Sequence, residues 1–274
     1  MAGAAEGRHV KPPRFDYAAP ASVDEALPLL GEAATVLAGG QSLVPLLNLR
    51  LAQPELLVDI NGVPGLDHIR VDDGALHVGA MTRQAALERS ELVRGRWPLL
   101  HKAVRLVGHP QIRTRGTVGG SVAHADPAAE LSTALIALGA RVHLRSVGGT
   151  RAVEASEFVL GPLHTAREPD ELLVEIEVPE QPDGAGAGFA EHARTHGDFA
   201  TAGAAAVVAP GAHAGVALLG AGPAPARAEA AERALMDGAT PREAAALAAD
   251  DVQDEYRRAL CTELARRAIE EALA

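Results

Sequence analysis

The chain has 274 residues, of which 47% are hydrophobic and only 3% are aromatic. This length and composition are typical of a globular protein with roughly two domains and a core of Ala, Val, Leu and Ile. The formal net charge of −11 argues against nucleic-acid binding, because a protein that binds a phosphate backbone needs a dense cluster of Lys and Arg.

Cysteine content and hydropathy limit the possible classes further. The single cysteine, Cys261, excludes an intrachain disulfide, and it excludes an iron–sulfur cluster because such a cluster needs about four thiolates. Residues 1–13 lack the apolar run of a signal peptide and are expected to form a flexible arm. No stretch approaches the ~18 apolar residues of a membrane span. We therefore expect a cytoplasmic protein with no membrane span and no metal site.

The first part of the chain has the pattern of a small parallel α/β unit. Ser22 and Glu25 form a capping-box pattern at the start of a helix predicted over 23–30. Short apolar strands are predicted at 35–38 and 56–60.

The middle of the chain mixes both element types. Strands are predicted at 76–79, 141–144 and 172–178. Helices are predicted at 82–90 with Thr82 as N-cap, at 97–107, and at 128–138.

A proline and three glycines in Gln181–Gly188 predict a domain boundary. Beyond it, the pattern predicts strands at 199–209 and 215–219, a helix at 225–236, an N-cap at Thr240, and a terminal helix with Tyr256, Leu260, Leu264 and Ile269 on one face. Cys261 falls in this apolar helix and is interpreted as a core residue.

Two glycine-rich segments carry the strongest functional signal. The first follows a predicted strand and comprises Ala38, Gly39, Gly40, Gln41 and Ser42. Adjacent glycines allow positive φ, and successive N–H groups in such a turn form an anion-binding concavity. Taken alone, however, this pair of glycines is more often an ordinary turn at a strand exit.

The second segment comprises Thr117, Val118, Gly119, Gly120 and Ser121. It is expected to offer unhindered N–H and hydroxyl donors. Neither segment matches the G-x-G-x-x-G fingerprint or contains the lysine of a P-loop. Two such segments suit a diphosphate that is held by backbone dipoles between two subdomains.

For the charged residues near the second segment, the sequence is consistent with more than one role. Glu130 suits either a ribose hydroxyl or the favourable charge at a helix N-terminus. Arg113 and Arg115 alternate along a segment predicted to be extended, so they are expected to point the same way, towards a cofactor, a partner or the loop. His109 and His124 are interpreted as structural, because too few ligands lie near them for a zinc site.

The run GHPQIRTRGTVGGSVAHADPAAEL, with LAGGQSLVPLLNLR upstream, resembles the FAD-binding medium subunit of molybdenum hydroxylases, the carbon monoxide dehydrogenase and xanthine dehydrogenase family. The resemblance continues through FDYAAPASVDEAL and THGDFATAG and covers nearly the whole chain.

The resemblance implies an α+β fold. Its first part is a two-subdomain FAD-binding module of the vanillyl-alcohol-oxidase/MurB (PCMH) type, followed by a smaller α/β C-terminal domain. The implied ranges are 14–180 for the module, with subdomains at about 14–60 and 61–180, and 185–274 for a C-terminal domain of the carbon monoxide dehydrogenase flavoprotein type.

The resemblance also implies site residues. The two glycine segments become two pyrophosphate loops, Glu130 meets the ribose or adenine end, and Val107 lies beside the cofactor. Thr201, together with Asp198, lies near the position of the flavin ring. The chain departs from many relatives at Ser121, where Asn is common, at Val107, which is too small to stack, and near Thr201, where some relatives have lysine. No catalytic acid or base is assigned.

The function implied is electron transfer. Electrons from a molybdenum-cofactor large subunit pass through the [2Fe–2S] clusters of a small subunit to the FAD of this chain and then to an external acceptor, in a dimer of heterotrimers. A stand-alone FAD-dependent oxidase or dehydrogenase of the same fold and a flavin-free docking scaffold are the alternatives.

Overall fold

The computed structural model describes residues 11–195 and 197–274. Of the predicted arm, residues 1–10 lie outside these ranges. In the described part, the strands form four sheets of three, five, four and two strands. No helix among the described residues is both long enough and apolar enough to cross a membrane.

The N-terminal unit is a parallel sheet with short helices, as the sequence predicts. Its strands are β1 (Asp16–Ala18), β2 (Ala34–Leu37) and β3 (Leu56–Asp59), in the order β1-β3-β2, and its helices are α1 (Val23–Ala26) and α2 (Leu43–Asn48). The Ser22 hydroxyl accepts from the Glu25 N–H at 3.2 Å, which confirms the predicted N-cap. The predicted helix over 23–30 is α-helical only to Ala26 and continues as a 3₁₀ turn over Leu27–Leu29. Pro28 explains the change, because it has no N–H to donate to the preceding turn.

The middle region is a five-stranded antiparallel sheet with helices on one face. Its strands and the small hairpin beside it are β4 (Ile69–Asp72), β5 (Ala75–Gly79), β6 (Arg141–Ser146), β7 (Gly149–Glu154), β8 (Val159–Gly161), β9 (His164–Thr165) and β10 (Leu172–Val178). The sheet order is β4-β5-β10-β6-β7, and β8 pairs with β9. The helices are α3 (Gln84–Arg89), α4 (Glu91–Arg96), α5 (Pro98–Leu106), α6 (Pro110–Arg115), α7 (Val118–His124), α8 (Glu130–Ala137) and α9 (Ala155–Phe158).

Two predictions for this region are wrong. Thr82 does not cap α3, which begins at Gln84 after Arg83. The Thr82 side chain is buried, and its hydroxyl donates to the His68 carbonyl at 2.9 Å. The segment around Arg113 is not extended either. It forms α6, which begins at Pro110, a residue whose fixed φ suits the first turn of a helix.

As a result, Arg113 and Arg115 do not point the same way. The Arg113 side chain is buried and donates to Glu88 Oε2 at 2.8 Å, whereas Arg115 is exposed. The Arg113–Glu88 ion pair therefore connects α6 to α3.

The C-terminal region is a four-stranded antiparallel sheet covered by three helices. Its elements are β11 (Gly186–His192), β12 (Ala202–Ala209), β13 (His213–Leu219), β14 (Ala226–Arg227), α10 (Glu229–Met236), α11 (Pro241–Ala248) and α12 (Glu255–Leu273). The predicted N-cap at Thr240 is confirmed, and Glu243 completes a capping box with it. The predicted helix over 225–236 begins only at Glu229, because β14 precedes it.

Strand β11 starts inside Gln181–Gly188, the segment in which the sequence predicts a domain boundary. Its glycines serve close packing: a Cβ atom built on Gly186 would lie 2.0 Å from the Ala272 carbonyl oxygen, and one on Gly188 would lie 2.0 Å from that of Ala268. Helix α12 therefore packs directly on the β11 backbone, and these glycines cannot be distinguished from linker glycines by composition.

Three apolar clusters hold the described chain together. One fills the space between the five-stranded sheet and its helices and includes Ala205 and Ala217 from the C-terminal sheet. A second lies between the other face of that sheet and α10–α12, and a third closes the N-terminal unit around Val58 and Ile60. Cys261 is fully buried in the second cluster, as predicted, but Tyr256 is 64% exposed and does not share the buried face of α12.

Candidate functional site

A cavity of about 570 Å³ is lined by both glycine segments and by residues of all three regions. This volume falls within the usual range for cofactor sites. Nearly all of the predicted site residues line it: Ala38, Gly39, Gly40, Gln41, Ser42, Val107, Thr117, Gly119, Gly120, Ser121 and Glu130. Val118 and Thr201 are not among its lining residues, but Asp198 and Phe199 are.

The first glycine segment connects β2 to α2. Gly40 has φ 72°, in the left-handed region that favours glycine. Among the described residues, a run of backbone N–H groups here donates to no acceptor in the chain: those of Gly39, Gly40, Gln41, Ser42 and Leu43. A run of unpaired N–H groups on a cavity wall is suited to bind an anion.

The second glycine segment differs from the expectation of free backbone donors. Thr117 is the N-cap of α7, and its hydroxyl accepts from the Gly120 N–H at 3.1 Å. The N–H groups of Val118 and Gly119 donate to the carbonyls of Thr82 and Ala80, each at 2.9 Å. The Ser121 N–H donates to the Thr117 carbonyl at 3.1 Å. These four amides are therefore already paired. The Ser121 hydroxyl, for which the described chain provides no partner, is a donor that this segment offers to the cavity.

Close packing explains two of the glycines. A Cβ atom on Gly119 would lie 2.6 Å from the Ala80 Cβ, so helix α7 approaches the end of β5 only without a side chain there. A Cβ atom on Gly39 would lie 2.4 Å from the Arg115 carbonyl oxygen. The first segment thus lies directly against the backbone that leads into the second.

An acidic wall lies at another part of the cavity. Glu130 is the first residue of α8 and is only 7% exposed. Burial raises its pKa to about 7, and the nearby carboxylates of Glu191 and Asp126 act in the same direction. Burial also raises the pKa of Glu191 to about 7, and its Oε2 has no hydrogen-bond partner in the described chain.

Sequence reasoning missed two polar features of the wall. Arg167 donates to the Glu171 carbonyl at 2.8 Å, and Glu171 in turn accepts from Arg151 at 2.6 Å. Gln84 lies on the buried face of α3, is 3% exposed, and has a buried Oε1 without a partner among the described residues. A polar residue on an otherwise apolar helix face is the one signal that sequence offers for Gln84.

The histidines near the second segment also line the cavity. His124 lies at the end of α7 and His109 precedes α6. His109 packs so closely on Gly197 that a Cβ atom there would lie 2.4 Å from the ring. Within residues 11–195 and 197–274, no group of three or more His, Cys, Asp or Glu side chains has the arrangement of a metal site.

Comparison with known proteins identifies the family. A family model described as "FAD binding domain in molybdopterin dehydrogenase" matches residues 13–181, more than half of the chain. The chain belongs to this family. FAD is therefore its cofactor, and the unpaired amides of the first segment, the Ser121 hydroxyl and the orphaned Gln84 carboxamide are donors and acceptors that fit such a ligand.

Relatives with established names match most of the chain. It is 46% identical to the 6-hydroxypseudooxynicotine dehydrogenase complex subunit alpha of Paenarthrobacter nicotinovorans, over 83% of this chain and 80% of that one. It is 39% identical to the carbon monoxide dehydrogenase medium chain of Hydrogenophaga pseudoflava, over 96% and 98%.

Solved structures agree on the fold. A chain of carbon monoxide dehydrogenase from Hydrogenophaga pseudoflava superposes with a TM-score of 0.90 at 41% identity, covering 96% of this chain and 98% of that one. A chain of quinoline 2-oxidoreductase from Pseudomonas putida superposes with a TM-score of 0.88 at 36% identity, covering 96% and 98%.

The raised pKa of Glu130 predicts a pH-dependent stability. Between about pH 4.5 and 7 the unfolded chain loses this proton while the folded chain keeps it, so the free energy of unfolding falls across that window and the loss is complete above it. Glu130→Gln in the flavin-free chain should raise the free energy of unfolding at pH 8, by up to about 3 kcal/mol, and should have little effect at pH 4.5. Denaturant unfolding at several pH values measures this difference.

Glu177→Gln is the matched control with the opposite sign. Burial alone would raise the Glu177 pKa, but hydrogen bonds from Arg141 and His143 lower it overall. This variant should lose stability at pH 8. An equal effect of Glu130→Gln at both pH values would contradict the assigned cause.

Proposed function

We propose that this chain is the FAD-binding electron-transfer subunit of a heteromeric molybdenum hydroxylase. The observation that carries the proposal is the cavity in which the two glycine segments lie against each other, in a chain of this FAD-binding family. The relatives support it, since the names of several describe them as a medium chain or as a subunit of a dehydrogenase complex.

The first segment is proposed to hold the pyrophosphate. Its unpaired N–H groups, from Gly39 to Leu43, supply donors without the desolvation cost of a buried lysine. Across the cleft, the Ser121 hydroxyl is proposed to donate to the same group.

The remaining contacts follow from the cavity wall. Glu130 is proposed to accept from a ribose hydroxyl, and Val107 to pack on the cofactor as an apolar neighbour. Val118 and Thr201 are proposed to act from outside the wall. The Val118 N–H fixes α7 to Thr82, and the Thr201 N–H donates to the His192 carbonyl at 2.7 Å, below the Asp198–Phe199 turn that lines the cavity.

When bound, FAD supplies the redox chemistry. The chain's own residues bind it, orient it and exclude water from its phosphates. The other redox centres are proposed to belong to two partner subunits, a small one with [2Fe–2S] clusters and a large one with the molybdenum cofactor, in a dimer of heterotrimers. The one thiol of this chain, Cys261, is buried and cannot ligate a cluster.

The finer architecture is also proposed. We assign residues 14–180 to a PCMH-type module with subdomains at about 14–60 and 61–180, and residues 185–274 to the C-terminal domain. The separate apolar cluster around Val58 supports the first subdomain. A flavin-free scaffold is disfavoured, because it would have no use for five unpaired amides on a cavity wall. The single free thiol fits the proposed cytoplasmic location.

Reconstitution with FAD tests the proposal. The purified full chain should take up FAD and show flavin absorbance, and Gly39→Ala should weaken FAD binding more than about 10-fold because its Cβ collides with the Arg115 carbonyl. Gly62→Ala is the matched control, since a Cβ there meets nothing within 4 Å. A colourless wild-type chain that takes up no added FAD would refute the cofactor assignment.

Co-expression with candidate partners tests the assembly. Co-purification with an iron–sulfur and a molybdenum subunit supports the complex, whereas substrate hydroxylation by this chain alone refutes it.

We predict that Gln84 favours FAD binding at a cost to the stability of the flavin-free chain. Its buried Oε1 lacks a partner, which costs about 1–3 kcal/mol in the flavin-free chain. Gln84→Leu should therefore leave the melting temperature of that chain unchanged or raise it, and should weaken FAD binding about 10-fold, measured by fluorescence titration. The exposed Gln53→Leu should change neither quantity. Unaltered FAD affinity in Gln84→Leu would show that this carboxamide does not contact the cofactor.

A further inference from the structure

A hydrogen-bond network on the outer side of the cavity joins the two glycine segments. The Asn61 carboxamide donates from Nδ2 to the Ala38 carbonyl at 2.9 Å and to Asp59 Oδ1 at 2.7 Å. Its Oδ1 accepts from the Arg83 guanidinium at 2.8 Å, and the other Arg83 nitrogen donates to the Arg115 carbonyl at 2.5 Å. Neither Asn61 nor Arg83 lines the cavity.

The network fixes the orientation of the Asn61 amide. Nδ2 faces two acceptors, and Oδ1 faces a cationic donor. If the amide were flipped, its oxygen would face the oxygens of Ala38 and Asp59, and its NH₂ group would face the Arg83 guanidinium. Asp59 is itself held by a hydrogen bond from the Tyr17 hydroxyl at 2.7 Å. Asn61 is therefore a fixed donor and not a freely rotating surface side chain.

The geometry of the peptide group determines where the neighbouring N–H groups point. In a trans peptide the carbonyl and the N–H point in opposite directions. With the Ala38 carbonyl bound to Asn61, the N–H of Gly39 points away from the network. Likewise, Gln41 Nε2 donates to the Gly39 carbonyl at 3.1 Å, which turns the N–H of Gly40 the other way. Both of these N–H groups are unpaired in the described chain, and both glycines line the cavity.

We propose that Asn61 and Arg83 are positioning residues: Asn61 aims the Gly39 amide at the pyrophosphate of FAD, and Arg83 fixes the distance between the two glycine segments by bridging Asn61 to the Arg115 carbonyl. This inference rests on the proposed cofactor site. It predicts that residues outside the cavity set the affinity for the diphosphate.

The test titrates the full chain, depleted of flavin, with FAD and separately with ADP, which has the diphosphate but no flavin ring. Asn61→Ala should weaken both ligands by a similar factor of about 10, because each loses one charge-assisted hydrogen bond. The melting temperature of the flavin-free variant should match that of Tyr17→Phe. This control removes an outer bond of the same network and leaves the contacts of Asn61 and Arg83 in place.

Arg83→Lys separates geometry from charge and serves as the second variant. Lysine keeps the positive charge but cannot bridge Asn61 Oδ1 and the Arg115 carbonyl with a planar fork. Weaker binding of FAD and ADP in this variant supports the positioning role, and unchanged binding of both means that charge alone suffices and overturns it.

Three other results would overturn the inference. The first is unchanged FAD affinity in Asn61→Ala. The second is a loss that affects FAD but not ADP. The third is a fall in the melting temperature of the flavin-free chain well below that of Tyr17→Phe, which marks a purely structural role. Failure of the wild-type chain to bind FAD would instead refute the proposed function, and the inference with it.

Discussion

The contact between the Gly39 backbone and the Arg115 carbonyl is the constraint on which the site depends. Even one methyl group at Gly39 would lie 2.4 Å from that oxygen. Because no side chain separates them, the N-terminal parallel sheet and the helices of the middle region share one cavity wall. The apolar cluster around Val58 and Ile60, which also includes Met81 and Leu172, supports the same arrangement from beneath. Burial of this apolar cluster therefore positions the N-terminal sheet against the middle region, and the contact between Gly39 and the Arg115 carbonyl sets the distance between them.

The two glycine segments look alike in sequence but use their amides differently. In the first, Gly39 and Gly40 retain unpaired N–H groups on the cavity wall. In the second, the N–H of Gly119 donates to the Ala80 carbonyl, and Thr117 caps the helix that follows. The second segment thus forms part of the cavity wall by packing, whereas the first segment carries the unpaired N–H groups. This division follows from tertiary contacts with the end of β5, which no local pattern encodes.

Sequence predicted the features that local chemistry determines. The N-caps at Ser22 and Thr240 depend on residues three positions away, and the parallel pairing of β2 with β3 follows from two apolar runs in a short α/β unit. Two further features have non-local causes that no local pattern reveals. The glycines of β11, which lie in the segment predicted to hold a domain boundary, pack against α12. Gln84 places a polar carboxamide at the cavity from the buried face of α3, where apolar residues are otherwise expected. The chain-wide family resemblance supplied the cofactor, which the glycines alone did not determine.

Electrostatics supports the proposal that this site binds a diphosphate through backbone amides. The cavity wall carries Glu130, and Glu191 lies near it; burial raises the pKa of each carboxyl to about 7. Among the described lining residues, the guanidinium of Arg167 is directed to carbonyl oxygens. A wall of this kind gives a diphosphate little cationic attraction. In the proposed site, recognition therefore comes from neutral N–H dipoles, and the strength of each hydrogen bond depends on its direction. The hydrogen bonds of Asn61 and Gln41 to backbone carbonyls fix this direction, so a side chain outside the cavity, Asn61, and one on its wall, Gln41, together orient the amides.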